Sequence, residues 1–279
     1  MAILIQRVET VEEAVLCRKL AAQVWGEGAP CAPAQMVVHA RYGGVVLLAM
    51  EDTKPIGFLF SFPASYRGDF VLWSHETAIL PEYLHRGIGT MLKMTQQQLA
   101  FEMGYPAIVW TFDPLISRNA YFNLHKLGAS VVEYSVNMYG TDPDDLVNQG
   151  LDTDRFIAAW PTSKEPVSLA SGCGPSAEDF ASGLTVLRLE ADNRAELQHL
   201  DRIHPVATLP ALPDGSTTRP VLTEIPVRFD RVLSGDPRLA VTWRSSFRQA
   251  AERLFAAGYV PQRMLRSPER STYIWTKTR

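Results

Sequence analysis

Cysteine is scarce in this 279-residue chain: Cys17, Cys31 and Cys173 form an odd set with no CxxC or CxxH spacing. That spacing excludes a disulfide framework and gives no sign of a zinc site, so no metal is expected and a reducing compartment fits best. Long apolar runs are also missing. No stretch approaches the ~18 residues of a membrane span. The opening MAILIQRVET reaches Gln6 and Arg7 too soon to supply the apolar region of a signal sequence. A cytoplasmic protein without membrane contact is the expectation. Positive charge is not in excess either, with 27 Lys and Arg against 30 Asp and Glu. Residues 1–150 hold 10 basic and 15 acidic side chains, and residues 151–279 hold 17 and 15. A dedicated nucleic-acid binder, which relies on a basic patch, is therefore set aside. Any anion bound by the first half has to be held locally. What remains is ordinary globular composition, 46% hydrophobic and 10% aromatic, enough to build one large or two modest cores.

The first 140 residues alternate strand-period and helix-period patterns, as in a layered α/β or α+β domain. Ile3 to Val8 reads as a strand, and Thr10 to Glu13 is a capping box that opens a helix running to Trp25. Pro33 starts a second helix that Gly43-Gly44 stops. Val45 to Met50 and Ile56 to Phe62 form a hairpin, and Phe70 to Leu80 is the longest strand. Pro81, Gly87 and Gly89 follow it, then a helix from Thr90 to Met103, a strand from Ala107 to Phe112, a helix from Ser117 to Leu127 and a strand from Ser130 to Met138. Residues 161–183 and 205–220 read as linkers or long loops, because Pro, Gly and Ser are concentrated there. Around them stand strands at Leu184 to Leu189, Val221 to Val227, Tyr259 to Leu265 and Thr272 to Thr276, with a helix from Pro237 to Ala257.

The segment with most chemical content is Pro81-Glu82-Tyr83-Leu84-His85-Arg86-Gly87-Ile88-Gly89-Thr90, between a long strand and a helix. A glycine turn at a helix start gathers free backbone N–H groups where the helix dipole is positive, which suits a pyrophosphate. Gly87 and Gly89 let a ligand approach the backbone, and Arg86 can add a charged donor. A dinucleotide site of the GxGxxG type is disfavoured because position 92 is Leu, and no Walker lysine is present.

The run A-I-L-P-E-Y-L-H-R-G-I-G-T, with strand Ala107 to Phe112 and the segment S-R-N-A-Y-F-N-L-H-K-L-G-A after it, resembles two motifs of the GNAT acyltransferase superfamily in their usual order. The resemblance covers roughly residues 1–140. It implies a mixed, splayed central β-sheet flanked by helices. Residues 141–279, of which the resemblance says nothing specific, are expected as a C-terminal α/β extension packed against that domain on the acceptor side, because their few short elements would struggle to build a core alone. The resemblance also implies acyl-CoA, acetyl or succinyl, as co-substrate and transfer to a small-molecule amine or amino acid. A homodimer is compatible with this. The cofactor contacts carried over are Ala78, Ile79, Leu84, His85, Arg86, Gly87, Ile88, Gly89, Thr90, Ser117 and Asn119. Leu84 replaces the usual Gln or Arg, so the backbone donors of Arg86 to Thr90 take over its task.

The family's thiolate-protonating tyrosine falls on Leu124, leaving Tyr121 or the adjacent His125 as substitutes. Ser117 stands at the asparagine position, where its hydroxyl either contacts the cofactor or caps the helix. The base in such proteins projects from the strand before the phosphate loop. Alternation places Trp73, His75, Thr77 and Ile79 on one face and Ser74, Glu76 and Ala78 on the other. His75 is the leading base and Glu76 the next candidate. Asp113 either orients the amine or starts a turn. Arg244 and Arg248, one helical turn apart, either clamp a substrate carboxylate or are solvated surface charges. The alternative to an enzyme is a non-catalytic acyl-CoA sensor in which Leu84 and Leu124 mark eroded catalysis.

Overall fold

The computed structural model describes residues 2–26, 31–142, 148–162, 183–191, 203–208, 212 and 219–277. It divides into two compact units, Met1–Trp110 with Ala159–Ser168, and Thr111–Ala158 with Leu169–Arg279.

The first unit runs β1 (Ile3–Arg7), α1 (Val11–Trp25), α2 (Pro33–Arg41), β2 (Val45–Glu51), β3 (Lys54–Tyr66), β4 (Asp69–Ile79), α3 (Ile88–Glu102) and β5 (Ala107–Phe112). Its strands lie in the order β1-β2-β3-β4-β5. The first four pair antiparallel in sequence, and β4 and β5 pair parallel. Local chemistry sets the elements. Thr10 and Glu13 complete a reciprocal capping box on α1, and Pro33 occupies the first turn of α2, where a missing N–H costs nothing. Strands β2 and β3 read as near-continuous apolar runs because both their faces are covered: Leu47, Leu48, Phe58, Leu59 and Phe60 are fully buried.

One irregularity in this sheet matters for chemistry. Phe60 pairs with Glu76 while Ser61 pairs with Ser74, so His75 is an extra residue, a β-bulge in β4. Paired residues point to the same face, and Phe60 and Ser61 point to opposite faces, so Ser74 and Glu76 do as well. Accordingly, Lys93 of α3 reaches Ser74, whereas His75 packs on Phe60 and Phe62 beside His39 of α2. The expected alternation therefore holds only up to the bulge. Beyond it the phase reverses, and His75 and Glu76 share a face.

The second unit runs α4 (Ser117–Tyr121), β6 (Ser130–Ser135), β7 (Arg155–Pro161), β8 (Leu184–Ala191), β9 (Ile203–Ala207), β10 (Val221–Ile225), α5 (Phe229–Gly235), α6 (Pro237–Ala256), β11 (Tyr259–Arg266) and β12 (Ser271–Lys277). A mixed sheet has the order β11-β12-β10-β8-β9, parallel only between β10 and β8. Helix α6 starts at Asp236, whose carboxylate accepts from the amides of Arg238 and Leu239, and Pro237 follows it. Its buried face carries Leu239, Trp243, Phe247, Ala250 and Leu254. Phe156 of β7 lies among Tyr134, Phe247, Phe255, Tyr273 and Trp275.

The architecture is mixed α/β with splayed mixed sheets and flanking helices. Several details differ from the reading of the sequence. The division does not fall at residue 140: Trp160 packs edge-on against Trp110, and the amide of Thr162 bonds to the Pro106 carbonyl, which places the end of β7 in the first unit. Strand β7 and helix α5 were not anticipated, and β9 occupies the start of the 205–220 segment. Most of the 161–183 segment lies outside the described residues. The helix expected from Ser117 to Leu127 ends at Tyr121 and continues as a π-turn over Phe122–Lys126. No helix among the described residues is long and apolar enough to cross a membrane.

Candidate active site

The β4–β5 ladder lasts for two residue pairs, Leu72 with Ile108 and Trp73 with Val109. Among the described residues, the stretch of β4 from Ser74 to Ile79, including Ala78 and Ile79, has no strand partner on that side. A parted pair of parallel strands leaves backbone donors and acceptors free inside a sheet, where a ligand can take them up. The parting begins one residue before the bulge.

At the end of β4, Pro81–Tyr83 makes a single 3-10 turn and Leu84 is extended. His85 and Gly87 then adopt left-handed φ values of 68° and 80°. The chain enters α3 through Gly87, and no side chain caps the helix. The first intrahelical bond runs from the Met91 amide to the Gly87 carbonyl. The amides of Ile88, Gly89 and Thr90 thus belong to the helix turn whose donors have no internal partner. A Cβ built on Gly87 meets nothing within 4 Å, so the space beside the turn is open. A left-handed non-glycine such as His85 stores strain of the order of 1 kcal/mol and is worth noting where backbone amides are being aimed.

Arg86 is oriented differently from a free phosphate ligand. Its guanidinium donates to Glu51 at 2.5 Å and lies over the Tyr83 ring, which Lys54 approaches from another side. The Arg86 hydrogen bond holds the Glu51 carboxyl below the usual range. With Arg86 paired to Glu51, the donors left open at this turn are the backbone amides of the helix start. Leu84 is half-buried.

On the other side of the bulge, His75, Glu76 and Cys31 converge. One ligand-type atom from each lies within 4.8 Å of the others. Glu76 and Cys31 are each 8% exposed, and His75 keeps an exposed edge. Neither Glu76 oxygen has a hydrogen-bond partner of good geometry, and the Cys31 thiol is the polar neighbour that acts on it. Burial pushes the Glu76 carboxyl up, with the nearby thiol acting weakly in the opposite direction. Burial, and next the Glu76 charge, push the Cys31 thiol up to about 12. Burial against the Phe60 and Phe62 rings, then repulsion from His39, pull His75 down, favouring the neutral imidazole.

A second buried polar group, absent from the sequence reading, lies on the α3 face. Lys93 is 4% exposed, bonds to Ser74 Oγ at 2.8 Å and Gln96 Oε1 at 3.1 Å, and sits over the Trp110 ring. Burial lowers its pKa to about 7. The signal available in the sequence was the spacing of Lys93, Gln96 and Gln97, which puts three polar residues on one helical face. The importance of Cys31 had no signal of that kind.

The remaining expected residues lie in the second unit. Asp113 accepts from the Leu115 amide, the expected turn geometry, and also binds Arg244 through both carboxylate oxygens at 3.0 and 2.5 Å. Burial alone would raise the Asp113 carboxyl, but Arg244 and Arg155 outweigh it and hold it low. Arg244 is 2% exposed and Arg248 binds Asp154 and Asp152, so the solvated-surface reading of this pair is corrected. The carboxylates they clamp are the chain's own. Ser117 shares a 2.6 Å hydrogen bond with Ser271 and is fully buried, and no side chain caps the helix that it begins. Asn119 is exposed. Tyr121 stacks on His125 at 4.6 Å, with Arg266 over its ring. Leu124, at the family's tyrosine position, is buried.

The sequence profile of the acetyltransferase (GNAT) family matches residues 17–128. No curated protein matches the chain significantly. Similar solved structures include the ribosomal-protein-S18-alanine N-acetyltransferase of Escherichia coli, at 14% identity and TM-score 0.47 over 60% of this chain and 99% of that one. A GNAT-family acetyltransferase of Streptococcus pneumoniae gives 13% and 0.47 over 58% and 100%. An IAA acetyltransferase of Bacillus cereus gives 15% and 0.45 over 57% and 99%.

Proposed function

We propose, from the match of residues 17–128 to the acetyltransferase (GNAT) family, that the protein moves an acyl group from acyl-CoA to the amine of a small molecule such as an amino acid. Acetyl-CoA is the donor, with succinyl-CoA as the variant to test. The observation that carries this reading is the β4–β5 ladder that stops after Trp73, in a strand that leads through one 3-10 turn to an uncapped helix start at Gly87. The two features supply what a CoA thioester needs within one unit. Free edge groups of β4 receive the extended pantetheine arm, and the amides of residues 88 to 90 receive the pyrophosphate.

In the reaction the amine nitrogen attacks the thioester carbonyl, a C–N bond forms, and the C–S bond breaks to release CoA. The attacking amine loses a proton to the pair His75 and Glu76, directly or through one water. The bulge makes this a joint assignment, because it turns both groups to one face. A neutral imidazole is ready to accept a proton, and Glu76 can hold the resulting cation in place. The departing thiolate takes its proton from solvent.

The test is release of free CoA from acetyl-CoA and from succinyl-CoA across a panel of amino acids and small amines. Turnover with at least one acceptor is expected. His75→Ala and Glu76→Gln should each lower kcat by roughly 10²–10⁴-fold while CoA affinity stays within a factor of a few. Tight CoA binding with no release from either donor would replace the enzyme by an acyl-CoA-binding module.

A further inference from the structure

At the β4 bulge the adjacent pair His75 and Glu76 meets Cys31 from a distant part of the sequence, and their chemistry has a reading independent of acyl transfer. Cys31 offers a thiol sulfur, His75 an imidazole nitrogen and Glu76 a carboxylate oxygen, all within 4.8 Å of one another. In a tetrahedral zinc site with bonds of 2.0–2.3 Å, neighbouring ligand atoms stand roughly 3.5 Å apart. The three side chains therefore need to close by about 1 Å, a rotamer adjustment and not a backbone one. Two of the three are more than nine-tenths buried. The Glu76 carboxylate faces the cluster with neither oxygen hydrogen-bonded. A buried carboxylate without a partner costs several kcal/mol, and buried charges are normally paired or metal-bound. Phe60, Phe62 and His39 lie beside the cluster, and Glu76 is close enough to act on Cys17.

We propose that Cys31, His75 and Glu76 bind one divalent zinc-class ion. Sulfur, imidazole and carboxylate together suit Zn²⁺ and exclude Mg²⁺ and Ca²⁺, which take oxygen ligands. Three protein ligands leave the fourth position of a tetrahedral ion for water or for a donor atom of a ligand. His75, with its exposed edge, marks the route of entry. The site does not depend on the proposed acyl transfer, although the ion and the amine proton would compete for His75 and Glu76.

The experiment uses the full chain, freed of metal with a chelator and titrated with Co²⁺ as a spectroscopic stand-in for Zn²⁺. One ion per chain is expected, with visible bands of tetrahedral cobalt and a sulfur-to-metal charge-transfer band in the near ultraviolet. Zn²⁺ should displace the cobalt and abolish both signals. Losing an outer partner of a metal site already costs 10–100-fold in affinity, so Cys31→Ser should lower affinity by at least ~100-fold and remove the charge-transfer band. Glu76→Gln should weaken binding and keep that band, and Cys17→Ser should leave it unchanged. Circular dichroism checks that each variant is folded. Absence of stoichiometric Co²⁺ binding by the wild-type chain overturns the proposal. So does a charge-transfer band that survives in folded Cys31→Ser.

Discussion

Buried charge is handled in opposite ways by the two units. In the second, Asp113 is clamped by Arg244 with Arg155 at 3.6 Å, and Asp154 receives both Arg248 and the Tyr134 hydroxyl. In the first, among the described residues, Glu76 has no hydrogen-bond partner, and Lys93 is held by the neutral Ser74 and Gln96 and the face of the Trp110 ring. A paired buried charge is a structural device: desolvation is offset by Coulomb attraction and directed hydrogen bonds, and the group loses its capacity to titrate near neutrality. An unpaired one keeps that capacity at a cost in stability. In the proposed function the groups that do chemistry lie in the first unit, while Arg244 and Arg248, attractive as a substrate clamp in the sequence, are bound to the chain's own carboxylates.

The contrast can be broken most severely at Asp113. Asp113→Asn leaves Arg244 buried opposite a neutral amide, and removing one partner of such a pair typically costs about 3–5 kcal/mol, measurable by urea denaturation followed on tryptophan fluorescence. The pH dependence has a definite sign. Because the folded carboxyl titrates below its ordinary 3.8, its contribution is fully present above about pH 4 and is lost as the pH falls through the folded value. The acid limb of the stability profile should shrink in Asp113→Asn; an unchanged limb would show that another carboxylate governs it.

Lys93 should show the reverse behaviour. Its folded pKa of about 7 lies below the ordinary 10.5, so between these values the unfolded chain holds a proton that the folded chain does not. Stability should rise with pH across that interval. Lys93→Met removes the buried amine, should gain about 2 kcal/mol at pH 7 after allowing for the lost hydrogen bonds, and should flatten the profile between pH 7 and 10. A destabilised Lys93→Met with the slope intact would mean that the amine is held by contacts stronger than those described.

The smallest effect tests the turn itself. Gly87→Val places a branched side chain at φ +80° beside open space, with a conformational cost of roughly 1–2 kcal/mol. The Val side chain would stand where the pyrophosphate is proposed, so CoA affinity should fall by tenfold or more, about 1.4 kcal/mol, read by calorimetry on the folded variant. Unchanged affinity would remove the helix-start cradle from the proposed function.

What the sequence determined by itself was local. The capping box at Thr10 and Glu13, Pro33 in the first turn of α2, and the strand-turn-helix around Pro81 and Gly87 depend on φ values and on hydrogen bonds reaching three or four residues, all of which are written in adjacent positions. The π-turn after Tyr121 and the strands β7 and β9 escaped that reading, because apolar runs as short as Phe156 to Trp160 carry little periodic signal and Pro205 spoke for a loop. The candidate site divides in the same way. Its strand-turn-helix at Gly87 was legible, whereas the phase of β4 was not: the bulge at His75 exists only in register with Phe60 and Ser61 of β3. Register is a property of two strands together, and a shift of one residue sends every later side chain to the opposite face. For that reason only the tertiary structure could turn Glu76 to the side of His75 and bring Cys31 to both. The same holds for Asp113 and Arg244, 131 positions apart, which only folding could join.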